Sequence, residues 1–215
     1  MTAYFASNLK PAAGGTKANM QAKRRELRNR MRELGKTVVE ANGYTVGGSL
    51  GLDRGRAYHA KRNGKAVKIG FRASADRWIA ATTPALAAGG ELAEVDEIFV
   101  IAFKDPKVRD VIEVYRFKAS VIADAAKKVF AASGKTGQQW IPLDDTKDEG
   151  VHSMAGGSLG KHGEVISTVD VVWEDGGAGG VEAPAPFKLT IDQAKAGLAA
   201  QFGVSKDAIR ITIEG

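Results

Sequence analysis

The sequence predicts an α/β fold in which helices flank a central mixed sheet, followed by a small C-terminal βαβ module. Three observations lead to this prediction. Residues 98–103 form a continuous apolar run, which is typical of a strand covered on both faces. The Asn63-Gly64 pair separates two extended runs and is the strongest short signal for a β-hairpin. Residues 17–34 and 120–132 contain no proline and repeat apolar residues at helical spacing, so we expect a helix on either side of the strand-rich segment.

The composition is ordinary for a globular protein and excludes cysteine chemistry. The chain has 215 residues, of which 44% are hydrophobic and 26% are charged, enough for one sizeable domain and a small module. No apolar run approaches the roughly 20 residues that a membrane helix needs. The first nine residues lack the features of a signal peptide, so we expect a cytoplasmic protein. Without cysteine there are no disulfides or thiolate ligands, and the three histidines are scattered. We therefore expect no cofactor.

The first helix is expected over residues 17–34, after a flexible tail over residues 1–16 and before Gly35 as its C-cap. Its apolar residues form a narrow stripe at heptad-like spacing, so the helix can pack one edge on the domain or pair with a second copy. The stripe consists of Met20, Leu27, Met31 and Leu34. The remaining surface is crowded with the bases Lys23, Arg24, Arg25, Arg28, Arg30 and Arg32. This basic face is either a phosphate-binding surface or a solvated one.

Short extended runs separated by turn signals follow the helix. We expect strands over residues 37–40, 43–46, 57–61, 66–72 and 78–82. Residues 85–94 then form a loop or a short helix. Alternation in the second hairpin arm places Ile69 and Phe71 on one face and Lys68 and Arg72 on the other.

The second half of the chain predicts further core elements and a separate C-terminal unit. We expect strands over residues 98–103, 111–117 and 165–173, a helix over 120–132, an edge segment over 140–143 and a mobile stretch over 144–163. The basic core domain then covers residues 17–173, the glycine- and proline-rich residues 174–186 form a linker, and residues 187–215 form the βαβ module. A unit of about 29 residues is too small to bury a core alone. It should dock on the core domain, on a partner, or on its own copy in a homodimer.

Charge is distributed unevenly along the chain. The net charge is +6, but residues 1–77 carry 17 lysines and arginines against five acids, whereas the rest of the chain has more acids than bases. A block this basic is typical of a surface that binds a polyanion, and nucleic acid is the partner we favour. An acidic protein partner, or a merely solubilising surface, remains an alternative.

The candidate nucleic-acid contacts lie on the first helix and around the hairpin. They are Lys23, Arg24, Arg28, Arg32, Arg54, Arg56, His59, Lys61, Arg62, Lys65, Lys68, Arg72 and Arg77. Arginine suits this role because its planar fork makes paired hydrogen bonds to phosphate. For Arg72 and Arg77, an ion pair with Asp76 or Glu113 inside the fold is an equal alternative. Trp78 and Trp140 are stacking platforms for bases or, as we favour, core residues.

Two segments around the hairpin resemble the active-site hairpin of the restriction-endonuclease-like, or PD-(D/E)XK, nuclease superfamily. They are Tyr58-His59-Ala60 and Gly70-Phe71-Arg72-Ala73-Ser74. The resemblance extends over residues 17–132, where the order of helices and strands is also similar. It implies a nuclease site in which two carboxylates hold a divalent metal and a lysine helps to activate water.

The chain departs from that nuclease pattern at every position that carries the chemistry. His59 stands at the first carboxylate position, Gly70 at the second and Arg72 at the lysine position. A glycine has no side-chain ligand, and Mg²⁺ prefers hard oxygen ligands to imidazole. The sequence therefore predicts a degenerate, non-catalytic member of the fold that binds double-stranded DNA through phosphates, in a role such as regulation, DNA maintenance or defence against mobile DNA.

Two alternatives stay open. The protein is a Mg²⁺-dependent nuclease if displaced carboxylates build the site, with Asp53 and Asp76 as the candidates and Glu40 and Asp96 near the same segments. It is an adaptor if the basic half binds an acidic protein.

Overall fold

The computed structural model describes residues 1–9, 17–52, 56–144, 159–174, 195, 199 and 205–210. The chain divides into two compact units, Met1–Gly176 and Gly177–Gly215. All elements discussed below belong to the first unit. The predicted mobile stretch lies largely outside the described residues, as do the predicted linker and most of the predicted βαβ module.

The first unit contains nine strands and four α-helices among its described residues. The strands are β1 (Thr2–Ala6), β2 (Tyr44–Ser49), β3 (Ala57–Arg62), β4 (Lys65–Ser74), β5 (Trp78–Thr82), β6 (Glu97–Phe103), β7 (Val111–Lys118), β8 (Gln138–Pro142) and β9 (Glu164–Glu174). The helices are α1 (Lys17–Ala41), α2 (Thr83–Leu86), α3 (Glu91–Glu94) and α4 (Ala119–Ser133). Among these, α1 is the longest at 25 residues, and none of the described helices is both long and apolar enough to cross a membrane.

Seven strands form one mixed sheet in the order β1-β9-β7-β6-β4-β3-β2, and β5 pairs with β8 in a separate two-stranded sheet. The pairs β1/β9 and β4/β6 are parallel, and the other neighbours in the large sheet are antiparallel. The predicted α/β class with a central mixed sheet is therefore confirmed.

The large sheet is covered on both faces. Helix α1 packs on one face, where Leu27 and Met31 join Phe71 and Phe99 in a buried cluster. On the other face, α4 and the β5–β8 sheet enclose a second buried cluster. Strand β6 lies between the two clusters, and residues 98–103 are all buried, as predicted for a strand covered on both sides.

The sheet curls around α1. Phe5 of β1 and Val46 of β2 come from opposite edges of the sheet, yet both line one cavity of about 510 Å³ beside Leu34 of α1. The two edge strands therefore approach the same helix.

The predicted start of the chain and the predicted end of the first helix are both wrong. Residues 2–6 form strand β1 rather than part of a flexible tail, and Phe5 is buried in the core. Helix α1 continues past Gly35 to Ala41, so residues 37–40 are helical rather than extended. Gly35 is a packing residue, because a Cβ atom there would lie 2.6 Å from the side chain of Ile101. The helix stops instead before Gly43, whose φ of +84° suits glycine.

The remaining core elements follow the prediction. The hairpin β3–β4 turns at Asn63-Gly64, where both residues have positive φ, as a type I′ turn requires. Strands β5, β7 and β9 and helix α4 occupy their predicted segments. The predicted edge segment at residues 140–143 is confirmed as β8, which pairs only with β5 among the described strands.

Candidate nucleic-acid interface

A groove of about 1380 Å³ lies at the carboxyl end of β4, between the N-terminal half of α1 and the β5–β8 sheet. We call it the basic groove. Its described lining includes eight cationic side chains and two carboxylates. The cations are Arg24, Arg25, Arg28, Arg32, Lys36, Arg56, Arg72 and Arg109, and the carboxylates are Glu33 and Asp76.

One wall of the groove is the basic face of α1. Leu27 and Met31 are buried and fix the helix on the sheet. Arg24, Arg25 and Arg28 are exposed, and no carboxylate among the described residues pairs with them. Arginines spaced four residues apart on a helix repel one another by about 0.2–0.5 kcal/mol per pair. The wall is therefore a concentration of positive charge that an anionic ligand would relieve.

The other wall is one face of the β5–β8 sheet. Ala80 pairs with Trp140 and Thr82 with Gln138 in antiparallel register. Gln138 and Trp140 both line the groove, whereas Ile141, the next residue of β8, is buried in the core. Trp140 is 41% exposed. Our preferred interpretation of Trp140 as a core residue is therefore wrong, while Trp78 is partly buried beside it.

Arg109 is a groove residue that the sequence did not single out. It follows β6 in a turn with a φ of 61°, and its guanidinium lies over the Phe103 ring at 5.6 Å. Its Nε donates a hydrogen bond to the Pro106 carbonyl at 2.7 Å, and the Trp173 indole N–H donates to the Arg109 carbonyl at 2.9 Å. No local pattern marks this arginine, because it reaches the groove through the pairing of β6 with β7.

The electrostatic neighbours of Arg109 come from both sides of the groove. Burial lowers the pKa of the Arg109 guanidinium, the nearby Asp76 raises it, and Arg24 lowers it again. Arginine stays charged at any physiological pH. Arg24 on α1 and Arg109 on the β6–β7 turn therefore place two fixed positive charges in the lining of one groove.

Lys36 already contacts two side chains of the fold, Tyr58 and Glu33. Its ammonium lies 4.5 Å from the centroid of the Tyr58 ring and 3.1 Å from Glu33. Burial lowers the pKa of Lys36, but the contacts with Tyr58 and Glu33 raise it more, so the net shift is upward. Lys36 is therefore a charged residue at the inner end of the α1 wall that already has a carboxylate partner.

Arg72 forms an ion pair that the sequence did not identify. Its guanidinium pairs with Glu91 of α3 and donates a hydrogen bond to the Ala80 carbonyl at 3.1 Å. Only 1% of the Glu91 side chain is exposed. A Cβ atom on Gly70 would lie 2.7 Å from Glu91 Oε1. Glu91 therefore occupies the space beside Gly70, and Arg72 holds it there.

Arg77 is buried and is bonded to protein partners inside the fold. It is 9% exposed, and its guanidinium donates hydrogen bonds to Glu113 at 3.0 Å, to Asp144 at 2.6 Å and to the Tyr115 hydroxyl at 2.8 Å. Burial lowers the pKa of Arg77, but these bonds raise it more. The alternative that Arg77 pairs with Glu113 is confirmed, and Arg72 pairs with Glu91.

The hairpin cations lie away from the basic groove. Strand β4 has ten residues, so its tip is about 30 Å from its carboxyl end. Arg62 lies near Glu97 at 3.7 Å, and Lys68 lies near Glu94 at 3.6 Å. Three more candidates, His59, Lys61 and Lys65, are exposed on the hairpin. The hairpin cations are therefore separate from the groove lining, and their role as phosphate contacts stays a prediction.

The remaining candidates divide between the groove and other positions. Arg24, Arg28, Arg32 and Arg56 line the groove. Lys23 is exposed on α1, outside the groove lining. Asp53 and Arg54 lie outside the described residues.

The carboxylates considered for a nuclease site do not converge within the described part of the chain. Asp76 accepts hydrogen bonds from the Ser74 hydroxyl and the Trp78 amide, both at 3.3 Å, as a turn residue does. Asp96 accepts a hydrogen bond from the Lys68 amide at 2.8 Å. No group of three or more histidine, aspartate or glutamate side chains that could hold a metal ion occurs among the residues described.

Comparisons of this chain with protein-family models, with curated proteins and with solved structures give no match.

Proposed function

We propose that this protein binds nucleic acid through the basic groove and does not cut it. The observation that carries the proposal is the excess of eight cationic over two acidic side chains in the described lining of one groove. Three of these cations, Arg24, Arg25 and Arg28, are exposed on the same helix wall. A polynucleotide is the common biological ligand whose closely spaced phosphates match such a surface, and it gains affinity by releasing bound counterions.

The surroundings of Gly70 support binding without hydrolysis. The nearby carboxylate, Glu91, is neutralised by Arg72, and His59 is an exposed residue of the hairpin. Metal-dependent phosphodiester cleavage needs carboxylates that are available to a divalent cation. An ion pair buried at this position therefore replaces the catalytic arrangement with a structural one.

The order of elements supports the likeness to the restriction-endonuclease-like superfamily. Helix α1 precedes the antiparallel strands β2, β3 and β4, and the covered strand β6, its neighbour β7 and helix α4 follow. In that framework the basic groove lies beside the strand that carries the motif residues Gly70 and Arg72. We therefore propose a degenerate nuclease fold that retains a nucleic-acid surface.

Charge reversal on the groove, matched by charge reversal on the hairpin, tests the proposal. The groove variant is Arg24→Glu with Arg28→Glu, and the control is Lys61→Glu with Lys65→Glu, which changes the net charge equally. Binding of labelled single-stranded and duplex oligonucleotides is measured by fluorescence anisotropy at several salt concentrations. We expect the groove variant to lose at least about tenfold in affinity and to show a salt slope shallower by about 0.7–0.9 per lost phosphate contact.

The control defines the outcome that contradicts the proposal. If the hairpin variant loses as much affinity as the groove variant, binding depends on total charge or on the hairpin. If neither oligonucleotide binds while an acidic polypeptide binds the wild type, the adaptor alternative is favoured.

A further inference from the structure

We propose that the basic groove takes a single strand of nucleic acid, with phosphates against α1 and bases against Trp140. The inference rests on the proposed function and names the form of its ligand. It departs from the double-stranded DNA that the sequence suggested. The observation behind it is that the two walls of the groove have different chemistry.

The α1 wall carries the charge that phosphates need. Arg24, Arg25 and Arg28 lie within two helical turns and are exposed, and Arg109 of the β6–β7 turn also lines the groove. The β5–β8 wall, by contrast, presents Trp78, Ala80, Gln138 and Trp140, and none of these groove-lining residues is charged.

A duplex does not match this asymmetry, whereas a single strand does. A duplex exposes phosphates on both strands and keeps the faces of its bases stacked inside, so it offers no base face to an exposed tryptophan. A single strand has phosphates along one side and bases along the other, and proteins bind it with a basic track next to aromatic platforms. The basic groove offers one wall of each kind.

Trp140 is held in the manner that a stacking platform requires. Its strand neighbour Ile141 is buried, and β8 is anchored by five residue pairs with β5. The indole is nevertheless 41% exposed and lines the groove. Gln138 lies two residues away and also lines the groove, so its amide can hydrogen-bond the edge of an unpaired base.

The test compares single-stranded and duplex oligonucleotides of equal length with the full-length protein and three variants. In Trp140→Ala the platform is removed, in Trp140→Phe an aromatic ring is retained, and in Trp140→Leu the bulk is retained without the ring. Stacking of one base on an aromatic side chain contributes about 1–3 kcal/mol, which corresponds to a loss of about 5- to 150-fold for Trp140→Ala on a single strand. We expect Trp140→Phe to recover most of this loss and Trp140→Leu to recover little. Duplex binding should change by less than about twofold.

Two results would overturn the inference. One is a wild-type protein that binds duplex more tightly than single strand at every salt concentration. The other is a Trp140→Ala variant that binds single strands as the wild type does. If Trp140→Ala does not fold, as judged by circular dichroism, the comparison of Trp140→Phe with Trp140→Leu gives the same decision. If the α1 reversal abolishes binding while Trp140 proves irrelevant, the proposed function stands and only the single-strand inference fails.

Discussion

Glu91 fills the space beside Gly70 and forms an ion pair there with Arg72. In the sequence, the glycine at position 70 supplies no side-chain ligand. In the fold, however, Glu91 Oε1 lies 2.7 Å from the position that a Cβ atom on Gly70 would take. Arg72 then neutralises it. A buried carboxylate beside a buried arginine is stable only as a pair, because either charge alone would lose its hydration without compensation. The pair therefore fixes α3 to β4.

Removing Glu91 should destabilise the protein strongly. Glu91→Ala leaves the Arg72 guanidinium in a site where only 11% of its side chain is exposed, and breaking such a pair costs about 3–5 kcal/mol. The free energy of unfolding is measured by urea denaturation. The control is Glu94→Ala on the same helix, because Glu94 and Lys68 form a partly exposed pair that should contribute less than about 1 kcal/mol. Equal losses from the two variants would contradict a structural role for the Arg72–Glu91 pair.

Helix α1 shows how a close contact between elements overrides a local stop signal. Gly35 sits where the helix meets Ile101 of the covered strand β6, and a larger residue would collide with that side chain. The glycine therefore brings the helix close to the sheet and does not end it. This approach fixes the basic N-terminal half of the helix beside the carboxyl end of β4.

A double-mutant cycle tests this role of Gly35. Gly35→Ala should gain about 1 kcal/mol of helix propensity but lose about 1–3 kcal/mol to overpacking, so we expect a net destabilisation. Ile101→Val shortens the facing side chain and should relieve part of the clash. The double variant is then more stable than the sum of the single changes by at least about 0.5 kcal/mol, as measured by urea denaturation. If the two changes in the free energy of unfolding are strictly additive, contact with Ile101 is not the reason that a glycine is needed at position 35.

Elements whose signal is local could be predicted, and those set by distant contacts could not. The Asn63-Gly64 turn and the apolar run over residues 98–103 each carry their own signal, and both are confirmed. By contrast, the helical state of residues 37–40 depends on burial of Val38 and Val39 against the sheet. The pairing of β1 with β9 joins segments that lie more than 160 residues apart in the chain.

The same distinction applies to the candidate site. The charge of α1 is visible in the sequence, and Arg24, Arg28 and Arg32 were predicted as contacts. Arg109 reaches the groove only because β6 pairs with β7, so no spacing rule could find it, and the sequence named Trp140 without showing that it lines the same groove. The sequence also could not show that Arg77 is buried and donates hydrogen bonds to three side chains, because these lie 36 to 67 residues away in the chain.

Folding gathers part of the basic block of the chain in one groove. The basic first 77 residues supply seven of the eight groove cations, and Arg109 adds the eighth. The hairpin cations lie outside the groove lining, so the basic block divides into two surfaces. A concave cationic surface raises the local concentration of polyanions, and this effect falls as salt increases.

A substitution of Asp76 distinguishes a groove that only binds nucleic acid from the site of a metal-dependent nuclease. Asp76→Asn removes a negative charge from the groove but keeps an oxygen that can accept the hydrogen bonds from Ser74 and the Trp78 amide. Loss of one exposed charge near bound phosphate should relieve about 0.5–1 kcal/mol of repulsion. We expect nucleic-acid binding at low salt to tighten by about two- to fivefold, and to do so equally with Mg²⁺ or with a chelator. A nuclease that uses Asp76 would instead cleave a plasmid in Mg²⁺ or Mn²⁺, and both the chelator and Asp76→Asn would abolish that cleavage. Binding that weakens in Asp76→Asn would show that this carboxylate serves the ligand rather than opposing it.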